Sequence, residues 1–302
     1  MRRGKQRYWC KDCKTKFEIT NKNVKIRRIE RQWDRYVFGK QTLRELSEQS
    51  GMSKLSIKNN FQSIKLSTKS HNPRPIYLIA DSTFFGTKDT EQWGVTVLRD
   101  ALKKENLWWK FINKEKLCDY REGYTFLTGR GYEVLATTCD GFPGLINVFK
   151  DYPVQFCHFH QKQIMRRYVT KNPRLVAGIE LKEVVEMLGE LPEFEFRKYL
   201  VAYVNYHRNF LNEKTTDPLI GKKSFTHKRL RSAIRSLYTN LSKLFTYEKY
   251  PRLRIPTTTN SLESHFSHIK DITRIHRGLK RKMKEKLVAT ILLNSSIVKK
   301  IL

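Results

Sequence analysis

The spacing of hydrophobic residues divides the chain into a helical front part, a strand-rich middle part and a long helical part. Apolar residues recur at helical spacing through residues 24–66 and again through residues 161–250. Between these parts, short apolar runs rich in β-branched and aromatic residues predict strands. The predicted strands are residues 76–85, 93–98, 107–112, 132–139 and 154–159, and helices are predicted near 114–128 and over 142–152.

The order of these elements predicts an α/β fold. Three adjacent strands followed by strand–helix–strand alternation are typical of a mixed sheet flanked by helices, and the region after the last strand predicts an all-helical insertion. The prolines within residues 67–75 make this stretch a linker, because proline cannot continue a helix. We therefore expect five parts: a segment 1–20, a helical region 21–70, a first part of the core 76–160, the insertion 161–255, and a last core helix with a basic tail 256–302.

The helical region 21–70 carries a pattern typical of a helix-turn-helix. An amphipathic helix ends at Gly51, which suits the left-handed position after a helix, and Ser53 is a suitable N-cap for a second helix that runs to Ile64. An ordinary helical hairpin is the alternative; the basic charge of this region favours DNA binding. The second helix offers side chains able to reach base edges and phosphates, namely Lys54, Ser56, Lys58, Asn59 and Gln62.

The segment 1–20 resembles half of a zinc ribbon. Cys10 and Cys13 form one CxxC pair, whereas a structural zinc site normally has four protein ligands. No second pair lies between Met1 and Cys10. Three explanations stay open: the reading frame begins late, the half-ribbon is vestigial, or another molecule completes the zinc site. The same departure leaves open whether the protein is intact and active.

The charge of the chain predicts that this α/β protein has a polyanionic partner. The 302 residues carry a formal net charge of +31, and the pI is near 10.0. Residues 1–70 contain 19 lysines and arginines against six acidic residues, and residues 264–302 contain ten against two. Basic ends around a more balanced middle favour nucleic-acid binding. A ribosomal or purely structural basic protein is the alternative, but 39% hydrophobic and 12% aromatic residues are enough for a packed core.

Other features of the sequence predict a cytoplasmic location. No stretch approaches the roughly 20 apolar residues of a membrane span, so no membrane partner is expected. The basic N-terminus has no apolar segment behind it, which argues against a secretory signal. Five cysteines with one CxxC do not form a disulfide framework, so a reducing compartment is expected.

Three acidic residues are the candidate catalytic residues. Asp81 and Asp140 each follow an apolar strand, and Glu263 stands at the start of the last predicted helix. Each has an ordinary structural explanation: Asp140-Gly141 is a common turn, and Glu263 lies three residues after Asn260, as in a capping box. Asp81 is different, because a carboxylate within a buried strand is costly unless it is paired or binds a metal.

Carboxylates on rigid elements are what metal-dependent phosphodiester chemistry needs. Mg²⁺ and Mn²⁺ prefer hard oxygen ligands, and two such ions about 3.5–4 Å apart can assist both the attacking and the leaving oxygen of an in-line displacement. No nucleophilic side chain is required. The triad therefore predicts a site for two divalent ions, Mg²⁺ or Mn²⁺.

The ordered set of motifs resembles the mutator-like DDE transposases of bacterial insertion sequences. The motifs are Ile79-Ala-Asp81-Ser-Thr, Cys139-Asp140-Gly-Phe-Pro-Gly-Leu145, Cys157-His-Phe-His160, Thr258-Thr-Asn-Ser-Leu-Glu263, and Ile269-Lys270 with His276-Arg-Gly-Leu279. The resemblance covers roughly residues 76–290. It implies a ribonuclease-H-like core with a helical insertion, and it implies that Asp81, Asp140 and Glu263 are the metal-binding catalytic triad. It gives Cys157 and His160 a supporting role; plain strand packing is the alternative, and zinc is less expected with only two ligands.

The function expected from this resemblance is DNA cleavage at the ends of an insertion sequence and strand transfer into target DNA. The partners are the terminal inverted repeats and the target, and two ends must be joined, so a homo-oligomer on DNA is expected. The resemblance also implies a prokaryotic protein associated with the nucleoid. Further DNA contacts are expected from Arg166, Arg167, Lys270 and Arg277. Three alternatives stay open: an inactive remnant that binds DNA, a ribonuclease-H-like nuclease without strand transfer, and a zinc hydrolase that uses Cys157 and His160.

Overall fold

The structure is a computed structural model that describes residues 7–18, 21–86 and 92–294. It has two compact units. The first contains Met1–Lys69 and Ser267–Asn294, and the second contains Ser70–Phe266. The last core helix therefore contributes residues to both units. The five-part division expected from the sequence stays a prediction.

The chain begins with a small hairpin in the first unit. Strands β1 (Arg7–Trp9) and β2 (Lys16–Glu18) pair antiparallel. The rings of Tyr8 and Phe17 stack across the hairpin with centroids 5.8 Å apart. Cys10 and Cys13 lie in the turn between the strands.

Three helices follow: α1 (Asn21–Val37), α2 (Leu43–Ser50) and α3 (Lys54–Ser63). A capping box starts α2, because the Thr42 hydroxyl accepts from the backbone of Glu45 and the Glu45 side chain accepts from Thr42. Gly51 ends α2 in the left-handed conformation at φ 66°, and the Ser53 side chain caps α3. The two helices and their caps are as predicted; that they form a DNA-reading helix-turn-helix stays a prediction.

The core of the first unit is aromatic. Trp33 of α1 and Phe61 of α3 pack edge to face with ring centroids 5.0 Å apart. The Trp33 indole donates a hydrogen bond of 3.1 Å to Thr290 of α13 (Arg281–Leu293). The ring of His276 stacks on Tyr36 at 3.8 Å. These contacts join α1 to α3, to α13 and to His276.

A five-stranded mixed sheet forms the centre of the second unit. Its strands are β3 (Pro75–Phe85), β4 (Trp93–Asp100), β5 (Glu105–Ile112), β6 (Glu133–Cys139) and β7 (Val154–Phe156), in the spatial order β5-β4-β3-β6-β7. Strand β4 pairs antiparallel with both β3 and β5, whereas β3, β6 and β7 are parallel. This sheet is compatible with the predicted ribonuclease-H-like core.

Helix α4 (Leu117–Gly129) packs closely against the sheet. Gly123 makes the close approach possible, because a Cβ at this position would lie 2.5 Å from the Trp108 ring and 2.6 Å from Leu98. Tyr120 and Leu127 of the same helix are fully buried. The core on this face also includes Leu145 and Val148 of the short helix α5 (Leu145–Val148).

Replacement of Gly123 by alanine is expected to destabilise the second unit. Both neighbours are packed core groups, so the added methyl forces a shift that costs about 1–3 kcal/mol. Gly129→Ala is the matched control in the same helix, since no atom lies within 4 Å of its Cβ position. Alanine there is expected to be neutral or to stabilise by up to about 1 kcal/mol. Thermal unfolding of both variants measures the difference; equal melting temperatures would contradict the close approach.

The insertion is mainly helical. Buried residues of different helices, including Leu181, Phe196, Leu200, Leu237 and Phe245, form its core. Its helices are α6 (His158–Val169), α7 (Val176–Glu186), α8 (Glu193–Tyr206), α9 (Arg208–Asn212), α10 (Lys228–Leu244), α11 (Thr246–Lys249) and a 3₁₀ turn at Pro251–Leu253, and α12 (Asn260–Ile275) follows.

The structure corrects three sequence predictions, one for the insertion and two for the residues before it. The insertion is not all-helical, because β8 (Lys214–Thr216) and β9 (Lys223–Phe225) form an antiparallel pair. The strand predicted over 154–159 ends at Phe156, and α6 begins at His158. In addition, the helix predicted over 142–152 is reduced to the four residues of α5. Among the described residues, no helix has the length and apolar character to span a membrane.

Candidate active site

Asp81 occupies a buried position in the middle of the sheet. It lies in the central strand β3 opposite Val97 of β4 and is 4% exposed. One carboxylate oxygen, Oδ1, accepts a hydrogen bond of 2.8 Å from the Ser82 backbone. No described residue donates a hydrogen bond to the other oxygen, Oδ2. A buried carboxylate oxygen without a donor is unfavourable unless a cation or another ligand satisfies it.

Strand pairing brings Asp140 to the same end of the sheet. Ala80 and Cys139 are paired residues of the parallel strands β3 and β6, and Asp81 and Asp140 are the next residues along each strand. Oδ1 of Asp140 accepts a hydrogen bond of 3.0 Å from the Phe142 backbone. This bond holds the turn after β6, so the structural explanation for Asp140 also applies. Its carboxylate faces the same charged groups as Asp81.

Glu263 completes the acidic group from the first turn of α12. Its Oε1 lies 3.0 Å from Nε2 of His160, which belongs to the first turn of α6. One ligand atom from each of Asp81, His160 and Glu263 lies within 4.8 Å of the other two. Within the described part of the chain, this is the one cluster of three or more potential metal ligands, and Asp140 is not one of its three members.

Residues just before α12 hold Glu263 near the sheet. The Thr138 hydroxyl of β6 donates a hydrogen bond of 2.6 Å to the Pro256 carbonyl, and the His158 backbone donates one of 2.9 Å to Thr257. The sulfur of Cys157 accepts from the Thr259 backbone at 3.3 Å. Cys157 is buried, and its thiol therefore anchors the segment that precedes the glutamate. Both the supporting role of Cys157 and the alternative of core packing stay open.

Burial and like charges act together on the carboxylates. Burial raises the pKa of Asp81 well above its usual range; the charge of His160 lowers it, and the charges of Glu263 and Asp140 raise it. The pKa of Asp140 is also raised, by burial and by the charge of Glu263. Burial alone would lower the pKa of His160, but its hydrogen bonds to Cys157 and Glu263 and the charge of Asp81 raise the pKa to about 11. The raised pKa favours the protonated imidazolium of His160, which is a counter-charge for the acidic residues.

The sequence reasoning missed a fourth acidic residue near the site. The Tyr120 hydroxyl donates a short hydrogen bond to Glu115, and it lies 2.8 Å from the Ser82 hydroxyl. The Ser82 hydroxyl in turn lies 2.8 Å from that of Thr96. Burial raises the pKa of Glu115, and the charge of Asp140 contributes. This chain of hydrogen bonds supports β3 beside Asp81. In the sequence, Glu115 is an acidic residue between a predicted strand and a predicted helix. This placement is too common to identify it as a site residue.

The donor set fits a divalent cation of the magnesium class. Carboxylate oxygens are the ligands that Mg²⁺ and Mn²⁺ prefer, and Oδ2 of Asp81 is buried without a donor. The like charges of Asp81, Asp140 and Glu263 raise one another's free energy, and a bound cation would relieve this repulsion. The residues that could hold it are Asp81 and Glu263, with Asp140 beside them.

The residues predicted to contact DNA are spread over both units. In the first unit, Lys54, Ser56, Asn59 and Gln62 are exposed on α3, and Lys58 is half-buried. Lys270 and Arg277 are also exposed in this unit. In the second unit, Arg166 and Arg167 are exposed at the end of α6, and Arg166 pairs with Glu186 at 3.4 Å. Their roles in DNA binding stay predictions.

The cysteine pair at the N-terminus has an exposed member. A hydrogen bond with Thr15 and one with Cys10 lower the pKa of Cys13 to about 7, so its thiolate is accessible near neutral pH. Within the described residues, no third ligand joins Cys10 and Cys13 in a cluster. A zinc ion at this hairpin stays a prediction.

Comparisons with known proteins add little to this geometry. No protein-family model matches the sequence, and no curated protein matches it. Among solved structures, a simian T-cell lymphotropic virus intasome in complex with the PP2A regulatory subunit B56 gamma is similar at 10% identity and a TM-score of 0.23; the match covers 63% of this chain and 60% of that chain. A Drosophila P element transposase strand transfer complex is similar at 10% identity and a TM-score of 0.32, over 96% of this chain and 81% of that one. At these scores neither similarity supports a conclusion about fold or function.

Proposed function

We propose that this protein is a DDE transposase of the mutator-like class, which cleaves DNA at the ends of an insertion sequence and joins those ends to target DNA. The observation that carries the proposal is the cluster of Asp81, His160 and Glu263, in which one potential ligand atom of each residue lies within 4.8 Å of the other two. In addition, Oδ2 of Asp81 is buried and has no donor among the described residues. Asp140 lies at the end of the neighbouring strand. The motif resemblance supplies the reaction class.

In this proposal, Asp81 and Glu263 hold the divalent cations, and Asp140 shares in holding them. When bound, Mg²⁺ or Mn²⁺ supplies Lewis-acid polarisation of the phosphoryl group and neutralises negative charge as it develops. The two carboxylates come from a strand in the sheet centre and from a helix, so their separation is fixed before DNA arrives. His160 orients the Glu263 carboxylate through the hydrogen bond of 3.0 Å.

The chemistry consists of two displacements at phosphorus. Water attacks the phosphodiester at the element end and gives up a proton to solvent, while the bond from phosphorus to the 3′ oxygen breaks and that oxygen takes up a proton; the products are a 3′-hydroxyl and a 5′-phosphate. That hydroxyl then attacks a phosphodiester of the target strand and gives up its proton to solvent. The bond from phosphorus to the target's own 3′ oxygen breaks, and the displaced oxygen takes up a proton. No covalent enzyme intermediate is needed, so the chain requires only positioning and charge stabilisation.

The DNA partner is proposed from the charge of the chain. The net charge of +31 favours a polyanion, and phosphate contacts should make binding fall steeply with salt. Two element ends must meet before strand transfer, so we propose a homo-oligomer on DNA. A nuclease without strand transfer would use the same cluster, and an inactive remnant would bind DNA without cutting it.

The test is cleavage of a supercoiled plasmid that carries the coding sequence with its flanking DNA. We expect nicked, linear and joined products with Mg²⁺ or Mn²⁺, and none with EDTA. Asp140→Asn should lower the cleavage rate by roughly 10²-fold or more, because a charged group at the reacting phosphate is lost. Asp151→Asn is the control: this exposed aspartate should be replaceable without effect.

The products discriminate between the alternatives. Cleaved DNA without joined strands would favour the nuclease, and binding without any metal-dependent cleavage would favour the inactive remnant. Cleavage by Asp140→Asn at the wild-type rate would remove Asp140 from the proposed site. Loss of activity on replacement of Cys157 and His160, with Asp81→Ala tolerated, would instead favour the zinc hydrolase.

A further inference from the structure

One face of α1 carries arginines along an open cleft in the first unit. The cleft has a volume of about 460 Å³ and lies between α1 and α2. None of the residues that line it is acidic. We call it the arginine cleft, and its lining residues are Val24, Arg27, Arg28, Arg31, Gln32 and Arg35 of α1 with Leu46, Gln49 and Ser50 of α2.

The charges of the arginine cleft are not neutralised within the described residues. Its four arginines are exposed, and none forms an ion pair with a described aspartate or glutamate. Arg28 donates a hydrogen bond of 3.1 Å to the Ser50 carbonyl. Arg27, Arg31 and Arg35 are spaced four residues apart, and like charges at this spacing destabilise a helix by about 0.2–0.5 kcal/mol per pair. The acidic residues of α1, at 30 and 34, do not line the cleft.

A buried amide at the arginine cleft also lacks good partners. Gln32 is 6% exposed, and no described residue donates to its Oε1. Among the described residues, its Nε2 has one hydrogen-bond partner, the thioether of Met52 at 4.0 Å, which is a weak acceptor. The NH₂ group can therefore donate to a phosphate oxygen in the cleft with little loss. The amide thus adds an uncharged donor beside the arginines.

We propose that the arginine cleft binds the sugar-phosphate backbone of double-stranded DNA. That DNA is the partner rests on the proposed function; the new point is the surface of the first unit that binds it. Residues four apart in a helix rise about 6 Å along its axis, so the arginines present a row of guanidinium groups along one direction. Guanidinium groups form bidentate hydrogen bonds with phosphate oxygens, which makes arginine well suited to such a row.

This assignment differs from the prediction for α3. The predicted reading helix has two lysines, Lys54 and Lys58, and Lys58 is half-buried. The arginine cleft has four cations on one helix face and an incompletely bonded amide among them. We infer that α1 supplies most of the phosphate contacts of the first unit, while α3 supplies fewer.

The experiment compares two double variants of the full chain that remove equal charge. Arg31→Gln with Arg35→Gln alters the arginine cleft, and Lys54→Gln with Lys58→Gln alters α3. Fluorescence anisotropy measures binding to a duplex DNA of arbitrary sequence in EDTA, over a range of salt concentrations. The arginine variant should lose about tenfold in affinity or more, and its slope of log K against log salt should fall by about 1.8, since each phosphate contact contributes about 0.9. The lysine variant should lose less than about threefold.

Two results would overturn the inference. One is an arginine variant that binds duplex DNA with the wild-type slope, and the other is a larger loss in the lysine variant. A duplex RNA of the same sequence is the second arm, and loss of RNA binding alone would also contradict a DNA site. Thermal unfolding should show an unchanged or higher melting temperature for the arginine variant, because both side chains are exposed and mutually repulsive.

Failure of the proposed function can be separated from failure of this inference. Binding in EDTA does not require cleavage. Loss of binding in the arginine variant, with no cleavage by the wild-type protein in any metal, would support the arginine cleft as a DNA-binding surface and contradict the transposase proposal. Wild-type binding by the arginine variant, with metal-dependent cleavage intact, would contradict the arginine cleft as the DNA-binding surface and leave the transposase proposal in place.

Discussion

Asp81→Asn is expected to abolish metal-dependent DNA cleavage while it raises the melting temperature of the metal-free protein. The loss of activity should be roughly 10³-fold or more, since a lost metal contact removes several kcal/mol of charge stabilisation at the reacting phosphate. The gain in stability should be about 1–2 kcal/mol, the range usual when a strained active-site group is relieved. That gain corresponds to a rise of roughly 2–8 °C.

The expected stability gain follows from the surroundings of Asp81. The residue is 4% exposed, its Oδ2 has no donor among the described residues, and its charged neighbours are His160, Glu263 and Asp140. Burial and the charges of Glu263 and Asp140 outweigh the opposite effect of His160 and raise the folded pKa of Asp81, so its ionised form destabilises the fold. The gain in stability from asparagine should therefore vanish at a pH below the ordinary aspartate pKa. It should grow as the pH rises from there through the raised pKa of Asp81 in the folded protein.

Asp119→Asn is the matched control. Asp119 is also buried, at 5% exposure, but it is paired with Lys110 at 2.9 Å. Its replacement should lower the melting temperature and leave cleavage within about threefold of wild type. Thermal unfolding in EDTA and plasmid cleavage in Mn²⁺ measure both effects. An Asp81→Asn variant that cleaves normally, or that is destabilised as much as Asp119→Asn, would argue against a functional role for Asp81.

Addition of Mn²⁺ or Mg²⁺ is expected to stabilise the wild-type protein, and EDTA should reverse the effect. A ligand that binds only the folded state adds about 2.7 kcal/mol at a concentration 100 times its Kd. This corresponds to a rise of roughly 5–11 °C in melting temperature. The physical reason is the relief of repulsion among the carboxylates of Asp81, Asp140 and Glu263.

Glu263→Gln should reduce this metal-induced rise to less than half of the wild-type value. Glu122→Gln is the control, because Glu122 is an exposed acid that pairs with Lys110 away from the cluster. The control should keep the full rise. Differential scanning calorimetry with increasing metal measures all three proteins. An equal rise in wild type and Glu263→Gln would place the metal elsewhere.

Local signals in the sequence were sufficient for the helices of the first unit and for most of the sheet. The capping residues Thr42 and Ser53 and the turn residue Gly51 each act within a few residues, so their effect can be derived from the chain alone. Asp81 and Asp140 could be placed at strands for the same reason. Their proximity depends on the parallel register of β3 and β6, which the sequence does not state.

The features that were not predicted depend on distant contacts. The Cys157–His160 segment alternates in a way that suggests a strand, but the backbone of His158 bonds to Thr257, and α6 starts at that point. Glu115 stands in a polar stretch and gains its importance only because Tyr120 connects it to Ser82. The hairpin of β8 and β9 is short and largely exposed, so it has no pattern of buried residues.

The most direct test is the position of Mn²⁺ in crystals of the wild-type protein, located by anomalous scattering. We expect an anomalous peak within about 2.5 Å of carboxylate oxygens of both Asp81 and Glu263, and no such peak in crystals of Asp81→Asn. A wild-type protein with fully ordered carboxylates and no peak between them, at millimolar Mn²⁺, would contradict a metal-dependent active site.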